Sequence, residues 1–304
     1  MANIDFYTRH LKVSSVDEIY NALCDTLIET NRTFGFFVNW EKVSKNRDAF
    51  KYELALLESL KNSLNPMSDL RDLLTKYPEV INVIPLLLAC RDGIIKVLDS
   101  IETSLQPKCF DFSRRTHETK EINDIVDFTN NTGLLDILCT MDSAADYMLG
   151  VEVGLDTNAR KNRSGLFLEI LVTEILRKIS NRNLGMAIVE QKSFGYVENK
   201  YHIRIPPALK DRKFDYAVIY RGEATNIEVN FYSGTGSKPS EIISSYSDRN
   251  RDLISAGWKF VWLTDGQGWK KMQRPLKVGI SNIDYVINTN YLRRGYLENI
   301  ILGT

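Results

Sequence analysis

Histidine is scarce in this chain: His10, His117 and His202 are the only three in 304 residues, and they lie far apart. That argues against a histidine-rich metal centre and against a nuclease mechanism built on a histidine base. Cysteine is sparse too. Cys24, Cys90, Cys109 and Cys139 have no metal-site spacing and fall on apolar stretches, which points to reduced, buried thiols. Long hydrophobic runs are missing. The longest, INVIPLLLAC at 81–90, is too short to span a bilayer and contains a proline. The opening MANIDFYTRHLK lacks the apolar core of a signal peptide, so a cytoplasmic location with no membrane partner is expected. With 17 glycines, 8 prolines and no repeat or low-complexity tract, fibrous and disordered classes are excluded. No P-loop is present, since GTGSK lacks the spacing of a nucleotide-binding loop. What remains, 43% apolar and 26% charged, is a globular chain long enough for one large domain or two ordinary ones.

Net charge is zero, but its distribution is not even. Residues 1–156 carry 16 Lys and Arg against 25 Asp and Glu, and residues 157–304 carry 23 against 14. The most basic part, 157–215, has 12 basic and 6 acidic residues. Such asymmetry points to a polyanion as partner of the second half.

The first half reads as helical. SVDEIYNALCDTLIET at 15–30 has a capping serine, acids in the first turn and apolar residues at helical spacing. The stretch 40–64 predicts a second, long helix, and ETKEINDIVDFTNNTG at 118–133 an amphipathic one with a glycine stop. After about residue 150 the pattern turns mixed. SGLFLEILVTEILRKIS at 164–180 predicts a buried helix, and AIVEQKSFGYVE and YHIRI predict strands. KFDYAVIY and NIEVNFY predict a hairpin, followed by a helix at 240–257, a buried strand KFVWLTD and a final strand and helix. The expected fold is α/β in the α+β sense: a mainly helical region, 1–150, packed on a mixed sheet flanked by helices, 151–304.

The hairpin carries polar residues where apolar ones are expected. Side chains alternate along a strand, so Asp215 shares a face with Ala217 and Ile219, and Glu228 with Asn230 and Tyr232. Antiparallel pairing across the turn at Gly222 brings Asp215 near Glu228. Two close carboxylates repel unless a cation lies between them, and Mg²⁺ favours one or two carboxylates plus phosphate oxygens. A Mg²⁺ cradle for phosphodiester chemistry is one reading; a structural ion pair with a base such as Arg212 is the other. Glu169, mid-helix among apolar neighbours, either joins the acids or sits at the helix's water-facing edge.

The arrangement resembles the PD-(D/E)xK nuclease core, with two departures: Phe214 stands where that pattern has proline, and Asn230 where it has lysine. Longer stretches, VEVGLDTNARKNRSG, KFDYAVIY, IEVNFYSGTGSK and FVWLTDGQGW, with YPEVINVIPLLLACR and FTNNTGLLDIL in the first half, resemble the MboI/DpnII family of type II restriction endonucleases. The resemblance implies a restriction-endonuclease-like core and Mg²⁺-dependent cleavage of double-stranded DNA at GATC, 5′ of the G. It also implies four-base 5′ overhangs with 5′-phosphates, a block by adenine methylation, and a cognate adenine methyltransferase as system partner.

In that frame Asp215, Glu228 and the Val229 carbonyl would hold the metal, with Glu169 as a third ligand or water-orienting group. Asn230 can orient only by hydrogen bonding. The missing charge is assigned to Lys238, beyond the glycines of YSGTGSK, unless that residue is a solvated loop lysine. Asn158, Arg160, Lys161 and Arg163, read as lying just ahead of the buried helix, suit phosphate and base contacts. Ser237 and Gln267 are further candidate DNA contacts. Asp265, Gln267 and Trp269 read as a functional loop or as an Asp-Gly turn with a packing tryptophan. A palindromic site implies a twofold homodimer. The acidic first half would supply dimer contacts, or a clamp lined by Lys42, Lys45 and Arg47. The competing class is a non-catalytic DNA-binding or methylation-sensing protein with a degenerate nuclease core.

Overall fold

The computed structural model describes residues 3–98, 106–114, 117–234 and 238–304, with the side chains of 161, 162, 164–166 and 238 outside that description. The chain opens with α1 (Ile4–Leu11) and α2 (Val16–Cys24). Ser15 accepts from the Glu18 amide while Glu18 accepts from the Ser15 amide, a reciprocal cap that starts α2 where the sequence signals it. There follow α3 (Trp40–Asp48), α4 (Lys51–Leu57), α5 (Pro66–Lys76), α6 (Ile84–Leu87), the strands β1 (Ile94–Val97) and β2 (Lys108–Asp111), and α7 (Thr119–Asn131), α8 (Leu134–Thr140) and α9 (Ala144–Asp156). The later chain gives α10 (Arg160–Arg182), β3 (Ala187–Glu190), α11 (Phe194–Tyr201), β4 (Tyr216–Tyr220), β5 (Glu223–Phe231), α12 (Lys238–Ser255), β6 (Lys259–Asp265), α13 (Gln273–Asn282), β7 (Tyr285–Ile287), α14 (Thr289–Arg293) and α15 (Tyr296–Leu302).

Several elements differ from expectation. The stretch 40–64 is not one helix: Phe50 leaves helical geometry at φ −120°, ψ 23°, and the chain restarts as α4. The β1–β2 hairpin lies in the half read as all helical. Its strands are four residues each and Phe110 is the one buried residue in them, so their alternation is faint. The expected strand at 187–198 is a strand followed by a helix. Gln191 turns the chain at φ +52° and Ser193 caps the Tyr196 amide to begin α11. His202, left-handed at φ +55°, ends that helix, and no strand forms at 201–205. All four cysteines are free, but only Cys24 is buried; Cys109 faces outward on β2.

By internal contacts the chain divides into residues 34–161 and a second unit made of 1–33 with 162–304. This differs from the boundary at 150/151, because the first helices belong with the late strands. The Tyr7 hydroxyl donates to the Val286 carbonyl at 3.1 Å and accepts from the Val286 amide at 2.6 Å. The Asn288 carboxamide donates to Leu23 O at 3.1 Å. Segments nearly three hundred residues apart cannot be assigned together from local pattern. The 34–161 unit has its own core, in which Leu54, Leu70, Ile84, Phe112, Val126 and Leu134 are buried.

The 1–33/162–304 unit is built on a five-stranded mixed sheet in the order β3-β4-β5-β6-β7. The β3–β4 and β4–β5 pairs are antiparallel; β5–β6 and β6–β7 are parallel. Arg221 at φ +51° and Gly222 at φ +81° form the two-residue turn between β4 and β5, the left-handed pair that a tight hairpin requires. It fixes Tyr216 opposite Ile227. One face of the sheet meets α10, where Thr173 and the Tyr216 hydroxyl are 3.0 Å apart. The other face meets α12 and α13. There Tyr246 packs edge-on against Phe260 and Trp262, and Gly279 leaves room for the Trp262 ring, which would lie 2.6 Å from an added Cβ. The architecture is a mixed sheet with helices on both faces.

Candidate active site

The hairpin register decides where the acids fall. One step beyond the Tyr216–Ile227 pair, Asp215 lies across from Glu228. Asp215 Oδ2 accepts the Val229 amide at 2.9 Å, and Oδ1 accepts from the Gln191 side chain at 3.4 Å. Burial raises the Asp215 carboxyl above its ordinary range, against the Val229 and Gln191 hydrogen bonds and the Arg249 charge.

Glu228 is 5% exposed on the α12 face of β5. Burial pushes its carboxyl from 4.5 to about 7; Arg249 pulls it down and the Asp215 charge pushes it up. Its Oε2 accepts from the Tyr246 hydroxyl at 3.2 Å and its Oε1 from the Asn226 carboxamide at 3.3 Å. Arg249 Nη1 lies 2.5 Å from Oε1. Arg212 does not play the ion-pairing part expected of it: it is exposed, and its Nη1 reaches the Ser245 hydroxyl at 3.5 Å.

Asn230 is two residues along β5. Its Oδ1 accepts from Trp262 Nε1 at 3.0 Å, which fixes the carboxamide against β6. Glu169 is half-buried on α10, and burial, then the Asp215 charge, raises its carboxyl. It is near enough to feel Asp215. Among the described residues, however, no three His, Cys, Asp or Glu side chains cluster closely enough to share a metal ion. The acid set brought together is therefore Asp215 with Glu228. Two carboxylates side by side are a donor set that suits Mg²⁺, which takes one or two carboxylates and retains much of its hydration.

The remaining sequence candidates are scattered. Asn158 is exposed in the short turn between α9 and α10. Arg160, Lys161 and Arg163 are not ahead of the buried helix but within its first turns, since α10 starts at Arg160 directly after that turn. Arg160 Nε donates to the Phe37 carbonyl at 3.1 Å. The Lys161 and Lys238 side chains and the whole of Ser237 lie outside the described residues; Lys238 opens α12. Gln267 spends its amide on Leu27 O at 2.9 Å. Asp265 and Trp269 are fully buried and serve the fold. Asp265 accepts from the amides of Ile28, Gly266 and Thr289 and from the Thr289 hydroxyl, and Trp269 donates to Thr264 Oγ1. The loop's glycines allow close backbone approach: a Cβ on Gly268 would sit 2.6 Å from Gly234 O.

Four residues at the acids went unnoticed in the sequence: Gln191, Asn226, Tyr246 and Arg249. The last two had a signal. They stand three apart on the predicted helix after the acidic strand, within its buried stripe of Ile243, Tyr246, Asn250 and Leu253.

Residues 20–299 match the DpnII restriction endonuclease family. The chain belongs to this family. It is 33% identical over 289 residues to the type II restriction enzyme MjaIII of Methanocaldococcus jannaschii, covering 93% of this chain and 99% of that one. It is 34% identical over 290 residues to LlaDCHI of Lactococcus lactis subsp. cremoris, with 93% and 95% covered. It is 32% identical over 286 residues to DpnII of Streptococcus pneumoniae, with 90% and 96% covered. Membership in the DpnII family makes the chain an enzyme of the type II restriction class, which acts on double-stranded DNA. Protein VC1899 of Vibrio cholerae, a solved structure, is similar at a TM-score of 0.32 and 11% identity, covering 86% of this chain and 56% of that one; a likeness so slight carries no argument. Among the described residues no helix is long and apolar enough to cross a membrane.

Proposed function

We propose that this enzyme cleaves double-stranded DNA at unmethylated GATC, 5′ of the G, by Mg²⁺-dependent hydrolysis that leaves 5′-phosphates on four-base overhangs. The observation that carries the chemistry is the Asp215–Glu228 pair on one edge of the hairpin, in a chain of a restriction endonuclease family. Asp215, Glu228 and the Val229 carbonyl are the residues that would hold the metal. Bound there, a divalent ion would stabilise charge on the scissile phosphate and lower the pKa of a water. The chain's own part is orientation. The Val229 amide aims Asp215, Tyr246 and Arg249 aim Glu228, and Trp262 aims Asn230. Glu169 is assigned to the water near Asp215, and Lys238 to the phosphate. Asn158, Arg160, Lys161, Arg163, Ser237 and Gln267 are assigned to DNA. A homodimer with one centre on each strand fits a palindromic site. A cognate adenine methyltransferase and a cytoplasmic setting complete the reading.

A second reading is favoured by one observation. Asn230 is neutral and Glu228 is already paired with Arg249, as in a centre that binds DNA without cutting it. One experiment separates the two. Unmethylated and N6-methylated plasmids are incubated with Mg²⁺ or EDTA and all ends are sequenced. Mg²⁺-dependent ends before GATC, found only on unmethylated DNA, are expected. Intact DNA with tight binding retained supports the binding protein instead.

A further inference from the structure

The strand that should carry a cation does not, and a helix brings one to the same place. Arg249, on α12, is 8% exposed, and its Nη1 lies 2.5 Å from Glu228 Oε1. The centre of its guanidinium is 5.5 Å from the middle of the Tyr246 ring and 5.9 Å from that of Phe194. The cation is therefore lodged between two aromatic rings with a carboxylate at its end. Its hydrogen bonding is incomplete. Nε has no acceptor, and Nη1 touches Oε1 at angles that make no aligned hydrogen bond. A buried guanidinium with unmade hydrogen bonds is a poor way to stabilise a fold, since an apolar side chain of similar shape does as well or better. Its place against Glu228 points instead to the site it faces.

We propose that Arg249 is a positioning residue for the cleavage reaction: it fixes the Glu228 carboxylate in one orientation and, separately from the Lys238 assigned to the phosphate, places a positive charge at the acids, where Asn230 has none. The inference rests on the reading of Asp215 and Glu228 as metal-holding acids. A fixed cation beside Oε1 has two opposed effects on a divalent ion. It orients the ligand, and it repels the ion. Removing it frees the carboxylate to turn and also removes the repulsion. Metal binding then tightens while cleavage slows, a combination that a purely structural arginine does not produce.

The test uses Arg249→Met, which keeps length and apolar packing between the rings, and Arg249→Lys, which keeps charge without the planar fork. Both are made with Glu228 intact and with Glu228→Gln. Mn²⁺ binding to the DNA-free protein is measured by calorimetry at alkaline pH, DNA binding in EDTA, and single-turnover cleavage at saturating metal. Arg249→Met is expected to bind Mn²⁺ about fivefold tighter and to cut about thirtyfold slower, with DNA affinity within about threefold of wild type. The Mn²⁺ shift disappears in the Glu228→Gln background, and Arg249→Lys recovers part of the rate. An equal Mn²⁺ shift in both backgrounds, or an unchanged cleavage rate, overturns the proposal. So does a rate that falls only as the folded fraction falls. If Arg249→Met does not fold, Phe194→Leu loosens the same cage with the charge kept, and an unchanged rate there overturns it equally. A wild-type protein that takes up no Mn²⁺ and cuts nothing sinks the nuclease reading itself, and this inference with it; a cutting wild type with indifferent Arg249 variants sinks the inference alone.

Discussion

Asp215 is bonded to the backbone of the residue that follows Glu228: its Oδ2 accepts the Val229 amide at 2.9 Å. The two acids are thereby locked in register by a bond that needs an acceptor oxygen but no charge. Asp215→Asn keeps that acceptor. The variant is expected to fold with a melting temperature at or above that of wild type at neutral pH, since burial disfavours the Asp215 charge, and to cut roughly a thousandfold more slowly, because a metal ligand's charge is gone. A melting scan beside a cleavage time course checks both. A variant that unfolds, or that cuts normally, contradicts the metal-holding role.

Glu228 makes stability depend on pH with a definite sign. Its carboxyl titrates at about 7 in the folded chain against 4.5 in an ordinary environment. The folded state keeps the proton where the unfolded state has lost it. This group's contribution is therefore most favourable below 4.5, declines as pH rises to about 7, and is flat above. The window is worth roughly 3 kcal/mol. Asp215, raised in the same direction, adds to the slope. In EDTA, Glu228→Gln is expected to flatten this decline and to be more stable than wild type above neutrality. Denaturant unfolding of the pair at acid and alkaline pH reads the difference. Equal slopes in the two proteins would show that the carboxyl is not held up by burial.

Asp265 is a structural hub. It is wholly buried and its two oxygens serve three backbone amides, those of Ile28, Gly266 and Thr289. Asp265→Ala leaves those donors without an acceptor, at a cost of about 3 kcal/mol or more. Its activity loss should follow the unfolded fraction in a denaturant titration. A stable, inactive Asp265→Ala would return the loop to the list of functional elements.

The basic start of α10 holds the residues proposed from sequence to contact DNA. Arg163→Ala should weaken binding to all duplexes alike and reduce the slope of log affinity against log salt by about one. Fluorescence anisotropy over a salt series, with and without GATC in the duplex, measures it. A loss confined to GATC duplexes would mean that Arg163 reads a base rather than a phosphate.

Much of the site could be read from strand alternation. Asp215 and Glu228 alternate with apolar residues, and Arg221-Gly222 sets a two-residue turn, so their juxtaposition follows from local rules. The helix cap at Ser15 was equally local. What escaped was long-range or lay against the local pattern. FGYVE alternates like a strand, yet the Ser193 cap makes it helical. Tyr7 joins the sheet through Val286, which no nearby pattern signals. Arg249 reaches Glu228 only because α12 folds back over β5 and β6 and aims one face at the acids. The TDGQGW loop looked functional because it is polar and glycine-rich, but its Asp265 and Trp269 are spent inside the fold.

The central claim is that Glu228 serves cleavage rather than folding. The most direct measurement is single-turnover cleavage of a duplex with one GATC by wild type and Glu228→Gln in Mg²⁺, with binding of the same duplex followed in parallel. The expected result is cutting before the G by wild type, no detectable cutting by the variant, and equal binding by both. A variant that cuts like wild type, or a wild type that binds GATC and never cuts it, would contradict the claim.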